Sequence, residues 1–377
     1  MTGDVMEVQN SRGIMHFIYM GLAFVWLFMT AIIVPIACVL TRYVVLTPIK
    51  LFSVRCYNYL ENRLCFMVNE HWVSTSAFAG MNVIEYGDDI SDLCDERVLL
   101  LPNHLGLVDH FIVMTAMYNK GLISGRWLFV IYNIWFFTPL GILWDSHNNF
   151  FINGGADKRE VVLEEFEKHI KKYYWANDFR FIVMYPEGSR FYLIKESGAK
   201  FAEKNNLPLL RHCCYPRIGA AKTILKVAGP KDEKGLESNS DSGPPLTYLI
   251  DCTLGYPKGN VVDIRDALYQ NWPENNKTMG IHYKVHKITP ELCDEKNLTE
   301  FLYKCYQDKD ELLEYYYKHD SFPGSSNIVY YPNNRIIVAE CFWLCMFFFT
   351  YFAIMKPCVW LIYYLFTLCT DRVFAFF

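Results

Sequence analysis

A histidine and an aspartate suited to acid–base chemistry lie five positions apart in the segment 103–109, which reads NHLGLVD. A carboxylate beside an imidazole fixes its tautomer and stabilises its protonated form, so the other ring nitrogen can take a proton from a hydroxyl. His104 and Asp109 are therefore candidates for a general base and its orienting partner. The same pattern is also typical of a surface histidine followed by an aspartate that favours a helix N-terminus.

The flanking residues indicate how these two side chains could meet. The apolar run VLLLP at 98–102 predicts a buried strand that ends in a proline. Residues 107–119 predict a helix. His104 then lies on a strand-to-helix turn and Asp109 in about the first turn of the helix, so the carboxylate can fold back onto the imidazole.

A second polar turn, Pro186-Glu187-Gly188-Ser189-Arg190, follows an apolar strand predicted at 180–185. Arginine presents a planar fork that binds phosphate oxygens, and glycine lets backbone N–H groups approach an anion closely. The alternative is a surface turn with a local ion pair. Ligands bind at the carboxyl ends of strands in open α/β sheets, so the two turns are expected to share one site.

The remainder of the middle alternates helices with strands, which predicts an α/β domain. A helix is expected at 157–175, and strands are expected at 246–254 and 279–288. The apolar stripe of the helix recurs at every fourth residue. It consists of Val162, Phe166, Ile170 and Tyr174.

Both ends of the chain are apolar enough to enter a membrane. In block 13–40, His16 is the one histidine or charged side chain, and the block exceeds a bilayer core in length. We interpret it as a retained membrane helix that could kink at Pro35. Block 336–369 is interrupted by Glu340 and by Lys356-Pro357, which leaves a re-entrant hairpin and one kinked span open. Buried core helices are the alternative for both.

Basic residues predict the orientation of these blocks. Arg42, Lys50, Arg55 and Arg63 follow the first block, whereas the N-terminal tail carries Arg12 alone. The positive-inside rule then places the middle of the chain in the cytosol. No mitochondrial presequence is recognisable, so the endoplasmic reticulum membrane is expected. The small net charge of −4, with no basic stripe, argues against nucleic acid as a partner.

Taken together, the motifs resemble a known family. His104-x4-Asp109 followed by Pro186-Glu187-Gly188-Ser189-Arg190 is similar to the 1-acylglycerol-3-phosphate acyltransferase superfamily. The segments LPLLRH at 207–212 and YPR at 215–217 resemble its lysocardiolipin acyltransferase-like branch, as do DCTLGYP at 251–257, KDELL at 309–313 and FPG at 322–324. The resemblance runs from about residue 99 to residue 324. It implies an α/β fold, a glycerolipid acyltransferase-type sheet flanked by helices, with membrane helices at the N- and C-termini.

This resemblance suggests a division of the chain into three parts. They are an N-terminal membrane anchor at 1–46, an acyltransferase catalytic domain at 47–335, and a C-terminal membrane hairpin or kinked span at 336–377. Within the catalytic domain, residues 47–95 would form either interfacial helices on the membrane surface or ordinary core helices.

The resemblance also implies a reaction, the transfer of a fatty acyl chain from acyl-CoA to the free glycerol hydroxyl of a lysophospholipid. His104 and Asp109 would be catalytic, and the turn Glu187, Gly188, Ser189 and Arg190 would hold the acceptor phosphate. Pro208 and Arg217 would line the acyl-CoA or acceptor wall. Acyl-CoA is then a substrate, no cofactor or metal is expected, and the bilayer is a partner.

One departure from the family pattern concerns the acceptor. The family's second block usually reads F-I-x-R, whereas this chain reads Phe151-Ile152-Asn153-Gly154. That arginine is thought to help hold the acceptor's phosphate, so its loss leaves Arg190 and Arg217 for that task. The branch likeness and Gly154 together favour lysophosphatidylinositol or lysocardiolipin over lysophosphatidic acid.

Other functions use the same residues. A Ser-His-Asp hydrolase could use Ser189, His104 and Asp109, but the G-x-S-x-G elbow is absent. A zinc hydrolase could use His104, Asp109 and His110, although no further histidine stands at a familiar ligand spacing. A catalytically degenerate membrane scaffold would not require the intact His104 and Asp109.

Overall fold

The computed structural model describes residues 2–153, 158–232, 234, 237–240 and 242–374, so Gly154 and Asp157 lie outside the described residues. Its centre is an eight-stranded sheet in the order β4-β3-β5-β2-β6-β7-β1-β8. The strands are β1 (Asn82–Gly87), β2 (Val98–Pro102), β3 (Trp127–Tyr132), β4 (Phe150–Ile152), β5 (Phe181–Val183), β6 (Tyr248–Gly255), β7 (Thr278–Lys287) and β8 (Ser326–Ile328).

The sheet is parallel on the side that carries the two polar turns. Strands β4, β3, β5, β2 and β6 all run in one direction, β7 is antiparallel to β6, and β8 is antiparallel to β1. Every residue of β2 is buried, with Val98 and Leu100 in one apolar cluster and Leu99 and Leu101 in another. Helices therefore cover both faces, which is why this strand reads as a continuous apolar run. The expected α/β fold is confirmed.

The helices that follow the strands complete this domain. The predicted helix at 157–175 is observed as Arg159–Tyr173, and its apolar stripe is buried against the sheet. The helices of this part are α5 (Asp109–Ala116), α6 (Pro139–Ser146), α7 (Arg159–Tyr173), α8 (Phe191–Lys204), α9 (Ile218–Ala228), α10 (Ile264–Leu268) and α11 (Glu295–His319).

Two helical runs at the ends are long and apolar enough to cross a membrane, judged by length and composition. The first contains α1 (Thr2–Phe28), α2 (Val34–Leu40) and α3 (Thr47–Lys50), joined by π-helical turns. Pro35 lies in the first turn of α2, directly after one of these turns. The second contains α12 (Asn333–Thr350) and α13 (Lys356–Phe374). It is continuous rather than a hairpin, with a π-helical turn immediately before Lys356.

Helix α4 (Val54–Ala79) connects both runs to the sheet domain. Its His71 is fully buried, with Nε2 2.9 Å from the Thr30 hydroxyl and Nδ1 2.9 Å from Glu340 Oε1. The Trp343 indole N–H donates to the Met67 carbonyl at 3.0 Å. These contacts pack α4 against both helical runs, and α4 also contacts α5 of the sheet domain.

Candidate active site

The His104 and Asp109 side chains meet in a hydrogen bond. His104 lies on the turn after β2, Asp109 is the first residue of α5, and Nδ1 of the imidazole is 2.9 Å from Oδ2 of the carboxylate. The Asp109 side chain is fully buried, whereas the His104 side chain is 14% exposed. Nε2 of His104 makes no hydrogen bond within the described part of the chain, so this nitrogen is available to a substrate hydroxyl.

Three further donors hold the Asp109 carboxylate. The backbone N–H groups of Leu105 and Gly106 donate to Oδ2 at 2.6 and 2.9 Å, and the Tyr256 hydroxyl donates to Oδ1 at 2.6 Å. A buried carboxylate needs such partners, because an unpaired acceptor loses its hydration without compensation. These bonds fix the orientation of the carboxylate and therefore that of the imidazole.

Two residues that connect this turn to β6 received no role from the sequence. Asn103 pairs its side-chain amide with Leu254, accepting from the backbone N–H at 2.7 Å and donating to the carbonyl at 3.1 Å. Tyr256 follows β6 and reaches Asp109 across 147 positions of sequence. The sequence signal that could have found Tyr256 is its place in the block 251–257. For Asn103 the signal is its position directly before His104.

Glu187 connects the turn of His104 with the segment that contains Cys214. Its side chain is buried, and its two carboxyl oxygens accept from the backbone N–H groups of His104 at 2.9 Å and Cys214 at 3.2 Å. Burial raises the pKa of this carboxyl to about 8, although the two N–H donors act in the opposite direction. The phosphate contact expected for Glu187 stays a prediction. The structure shows that its carboxyl joins the first motif to the segment before Arg217.

Gly188 and Arg217 are brought together by this arrangement. The Arg217 backbone N–H donates to the Pro186 carbonyl at 2.8 Å. Gly188 has φ +76°, and a Cβ placed there would lie 3.1 Å from Cδ of Arg217. Glycine meets both demands, since it accepts a positive φ and leaves room for the arginine. Arg217 is exposed, so its guanidinium can reach an anion in front of the turn.

Arg190 and Ser189 occupy the rim next to the histidine. The backbone N–H of Phe191 donates to the His104 carbonyl at 2.8 Å, which holds the start of α8 beside the base. Arg190 directly precedes this helix, is half-buried, and places its guanidinium 5.3 Å from the centre of the Tyr192 ring. Ser189 is half-buried and, among the described residues, makes no hydrogen bond to His104. The hydrolase triad is therefore not assembled.

Pro208 lies on the surface. Its carbonyl accepts from the Tyr215 hydroxyl at 3.0 Å, and Tyr215 stands two positions before Arg217. Pro208 is thus connected to the arginine through this tyrosine, and the structure records no contact between Pro208 and His104 among the residues it describes.

His110 faces the protein interior behind the dyad. Its ring centre is 4.9 Å from that of Tyr185, and the Tyr185 hydroxyl lies 3.3 Å from its Nδ1. Burial lowers the pKa of His110 to about 3, with a further contribution from the nearby His104. It is therefore a neutral packing residue near pH 7. No group of three histidine, cysteine or acidic side chains suited to a metal ion occurs in the described ranges.

The chain is similar to known acyltransferases over most of its length. Residues 275–343 match the family model described as the acyltransferase C-terminus. The chain is 46% identical over 333 residues to a putative 1-acyl-sn-glycerol-3-phosphate acyltransferase of Caenorhabditis elegans, covering 88% of this chain and 85% of the relative. It is 29% identical over 300 residues to acyl-CoA:lysophosphatidylglycerol acyltransferase 1 of Mus musculus, covering 77% and 80%. The Homo sapiens protein of that name is 28% identical over 302 residues, covering 78% and 80%.

Proposed function

The chain belongs to the 1-acylglycerol-3-phosphate acyltransferase superfamily, in its lysocardiolipin acyltransferase-type branch, and we propose that it transfers a fatty acyl chain from acyl-CoA to a lysophospholipid. That it is an acyltransferase follows from the family. The donor, the acceptor and the residues that act are our proposal. The observation that carries it is the buried Asp109 carboxylate bonded to Nδ1 of His104, whose Nε2 remains available.

The proposed reaction needs no covalent enzyme intermediate. Nε2 of His104 takes the proton from the acceptor's free glycerol hydroxyl while that oxygen attacks the thioester carbonyl. The tetrahedral intermediate then expels the CoA thiolate, which receives the same proton back from the imidazolium. Asp109 stabilises the imidazolium through its bond to Nδ1 at 2.9 Å. A positioned base of this kind contributes about 10²–10⁴ in rate.

Arg190 and Arg217 are proposed to hold the acceptor phosphate. Arg190 directly precedes α8, whose first backbone N–H donates to the His104 carbonyl, and Arg217 directly precedes α9 and packs over Gly188. Glu187 supports this site from below by bonding the backbones of His104 and Cys214. It is a positioning residue, because it fixes the loops through these two bonds. Holding both substrates in line reduces the entropic cost of the reaction by several kcal/mol.

The acceptor is proposed to be a lysophospholipid with a phosphodiester headgroup. The branch likeness favours lysophosphatidylinositol or lysocardiolipin, and the relatives in Mus musculus and Homo sapiens are named for lysophosphatidylglycerol. Headgroups of this set carry free hydroxyls and no cation. Lysophosphatidic acid, which is the 1-acyl-sn-glycerol-3-phosphate in the name of the Caenorhabditis elegans relative, is the alternative.

We further propose that the enzyme works at the endoplasmic reticulum membrane with its sheet domain facing the cytosol. Two helical runs, Met15–Lys50 and Asn333–Thr370, are long and apolar enough to enter the bilayer. Both contact α4, which packs on the helix that begins with Asp109, so the dyad would lie close to the surface where both lipids reside.

The test is transfer of labelled oleate from oleoyl-CoA to a panel of lysophospholipids by the purified, detergent-solubilised chain, alongside His104→Ala. We expect label in a phospholipid with the wild type and a loss of about 10²–10⁴ in the variant. Equal thermal unfolding of the two proteins would show that the variant is folded. Near-normal turnover in the variant, or free fatty acid as the sole product, would contradict the proposal.

A further inference from the structure

An open cleft of about 540 Å³ adjoins the catalytic turn. It lies between the start of α8 and the segment 257–262, and Leu105 of the catalytic turn forms part of its wall. Side chains of Tyr192, Asn260 and Val261 are exposed at its surface. Its size falls within the range of small-molecule sites, which is about 300–1,000 Å³.

The wall formed by segment 257–262 is attached to the catalytic turn. Tyr256, directly before this segment, donates its hydroxyl to Oδ1 of Asp109 at 2.6 Å. A Cβ built on Gly106 would lie 2.6 Å from Cγ1 of Val261, so the glycine of the catalytic turn lets the two segments pack closely. The position of a molecule bound to this wall is therefore fixed relative to the imidazole of His104.

The beginning of the same segment is also attached to the residue that follows α11. The Lys258 backbone N–H donates to Oδ1 of Asp320 at 3.1 Å, just after that helix. The Lys258 side chain pairs with Glu274, which stands next to Pro273 of the cleft wall. The charges of Lys258 and Glu274 beside the cleft thus neutralise each other.

The cleft surface is consequently uncharged but able to form hydrogen bonds. The residues that line it are Leu105, Phe191, Tyr192, Gly259, Asn260, Val261 and Pro273. The side-chain amide of Asn260 and the hydroxyl of Tyr192 have no hydrogen-bond partner among the described residues. The guanidinium of Arg190, over the Tyr192 ring, lies at the edge. A cation at the rim and neutral donors and acceptors within suit a phosphodiester followed by a polyol.

We propose that this cleft receives the headgroup of the acceptor beyond its phosphate, and that it selects an uncharged, hydroxyl-bearing group of the phosphoglycerol or phosphoinositol type. Asn260 is the specificity-determining residue. The inference rests on the proposed function. A choline or ethanolamine headgroup would bring a cation to a wall that carries no carboxylate among its lining residues, and lysophosphatidic acid would leave the cleft empty.

The test compares kcat/KM for lysophosphatidylglycerol, lysophosphatidylinositol, lysophosphatidylcholine and lysophosphatidic acid, at saturating oleoyl-CoA, in the full chain and in Asn260→Asp. The new carboxylate would repel the phosphodiester and attract a cation. We expect Asn260→Asp to lower kcat/KM for the two polyol lipids on the order of tenfold, to change the ratio in favour of lysophosphatidylcholine, and to leave the KM of oleoyl-CoA unchanged. Asn271→Asp adds the same charge at an exposed residue outside the cleft and should keep the wild-type ratios.

The outcomes separate this inference from the proposed function. Transfer by the wild type with equal preference for all headgroups, or with unchanged ratios in Asn260→Asp, would overturn the cleft assignment and leave the acyltransferase reaction standing. A raised KM for oleoyl-CoA alone in Asn260→Asp would assign the cleft to the donor instead. Absence of transfer to every acceptor would overturn both.

Discussion

The Tyr256 hydroxyl donates to Oδ1 of Asp109 at 2.6 Å, and both residues are buried. The bond crosses from the end of β6 to the first residue of α5, so it links the strand next to β2 with the catalytic turn. Asp109 uses its other oxygen for His104. His104, Asp109 and Tyr256 are therefore joined in one series of hydrogen bonds. Tyr256 lies 147 positions from Asp109 in the sequence.

Removal of the Tyr256 hydroxyl is the first test of this series of hydrogen bonds. In Tyr256→Phe the buried Oδ1 of Asp109 loses its donor, which costs about 1–3 kcal/mol of stability for an unsatisfied buried acceptor. We expect kcat to fall about tenfold while the KM values change little, because the imidazole is less well oriented. The measurement is steady-state transfer together with the thermal midpoint. Tyr269→Phe removes a hydroxyl from a half-buried tyrosine elsewhere and serves as the control. Wild-type kcat in Tyr256→Phe would contradict the role given to the bond.

The dyad itself is tested by a substitution that preserves size. In Asp109→Asn an amide replaces the carboxylate, so the imidazolium loses its countercharge. An NH2 group also replaces one of the two oxygens, either Oδ1, which accepts from Tyr256, or Oδ2, which accepts from Leu105 and Gly106. We expect kcat to fall about 10²–10⁴-fold, with substrate KM values close to the wild type. Asp92→Asn makes the same change at an exposed position and should leave kcat unaffected. A change confined to KM would place Asp109 in substrate binding rather than in catalysis.

Arg217 is predicted to act in acceptor binding. Truncation in Arg217→Ala removes an exposed guanidinium that packs over Gly188, so the fold should tolerate it. The loss of one charge-assisted phosphate contact, worth about 1.5–3 kcal/mol, should raise the acceptor KM about tenfold or more. The KM of acyl-CoA should not change. The matched control is Arg211→Ala, an exposed arginine of the same segment. An effect on acyl-CoA instead of the acceptor would assign Arg217 to the donor wall.

The sequence predicted those parts of the site that depend on local order. The apolar run before His104 and the short strand before Glu187 become the parallel neighbours β2 and β5, so their carboxyl ends meet at one edge of the sheet. The five-residue spacing of His104 and Asp109 on a strand-to-helix turn was sufficient to predict their contact.

Contacts across long stretches of sequence were not predictable in the same way. Glu187 was expected at the acceptor phosphate, yet it turns inward to two backbone N–H groups, one of them at Cys214. Nothing in the turn 186–190 encodes which side its carboxyl faces, since this depends on the path of the chain after α8. Tyr256 was missed for the same reason, because it follows β6 whereas its partner Asp109 follows β2.

The inward orientation of Glu187 has a consequence for the dependence of stability on pH. Burial raises the pKa of its carboxyl from 4.5 to about 8, so between these values the native protein holds a proton that the unfolded chain has released. The free energy of unfolding contributed by this group therefore decreases as the pH rises, and the contribution is lost above about pH 8.

Glu187→Gln separates this effect from other titrations. The amide cannot ionise, but it leaves one of the two N–H donors without an acceptor, which costs about 1–3 kcal/mol near neutral pH. We expect the difference in thermal midpoint between wild type and Glu187→Gln to shrink as the pH is raised from about 6 to about 9. Glu196→Gln, at an exposed glutamate, should show no such trend. A difference that stays constant over this pH range would mean that Glu187 is already ionised at about pH 6 in the native protein.

Lys309 and Asp251 provide the last prediction and explain two of the branch-specific segments, 251–257 and 309–313. The Lys309 side chain is fully buried, with Nζ 2.6 Å from Oδ1 of Asp251 and 2.5 Å from the Cys252 carbonyl. These contacts join α11 to β6, and Cys252 lies two residues before Leu254 in that strand. Lys309→Met leaves the Asp251 carboxylate buried and unpaired, which should cost about 3–5 kcal/mol.

The double variant Asp251→Asn with Lys309→Met removes both charges at once. Because the unpaired charge rather than the lost bond carries most of the cost, the double variant should be more stable than Lys309→Met alone, and thermal or denaturant unfolding of the solubilised proteins measures the difference. Lys304→Met, at an exposed lysine on the same helix that pairs with Asp308, should change stability by less than about 1 kcal/mol. If the double variant is instead the less stable, the two residues support the fold through separate contacts. The link between α11 and the strand that leads to Tyr256 would then depend on the apolar packing of this helix.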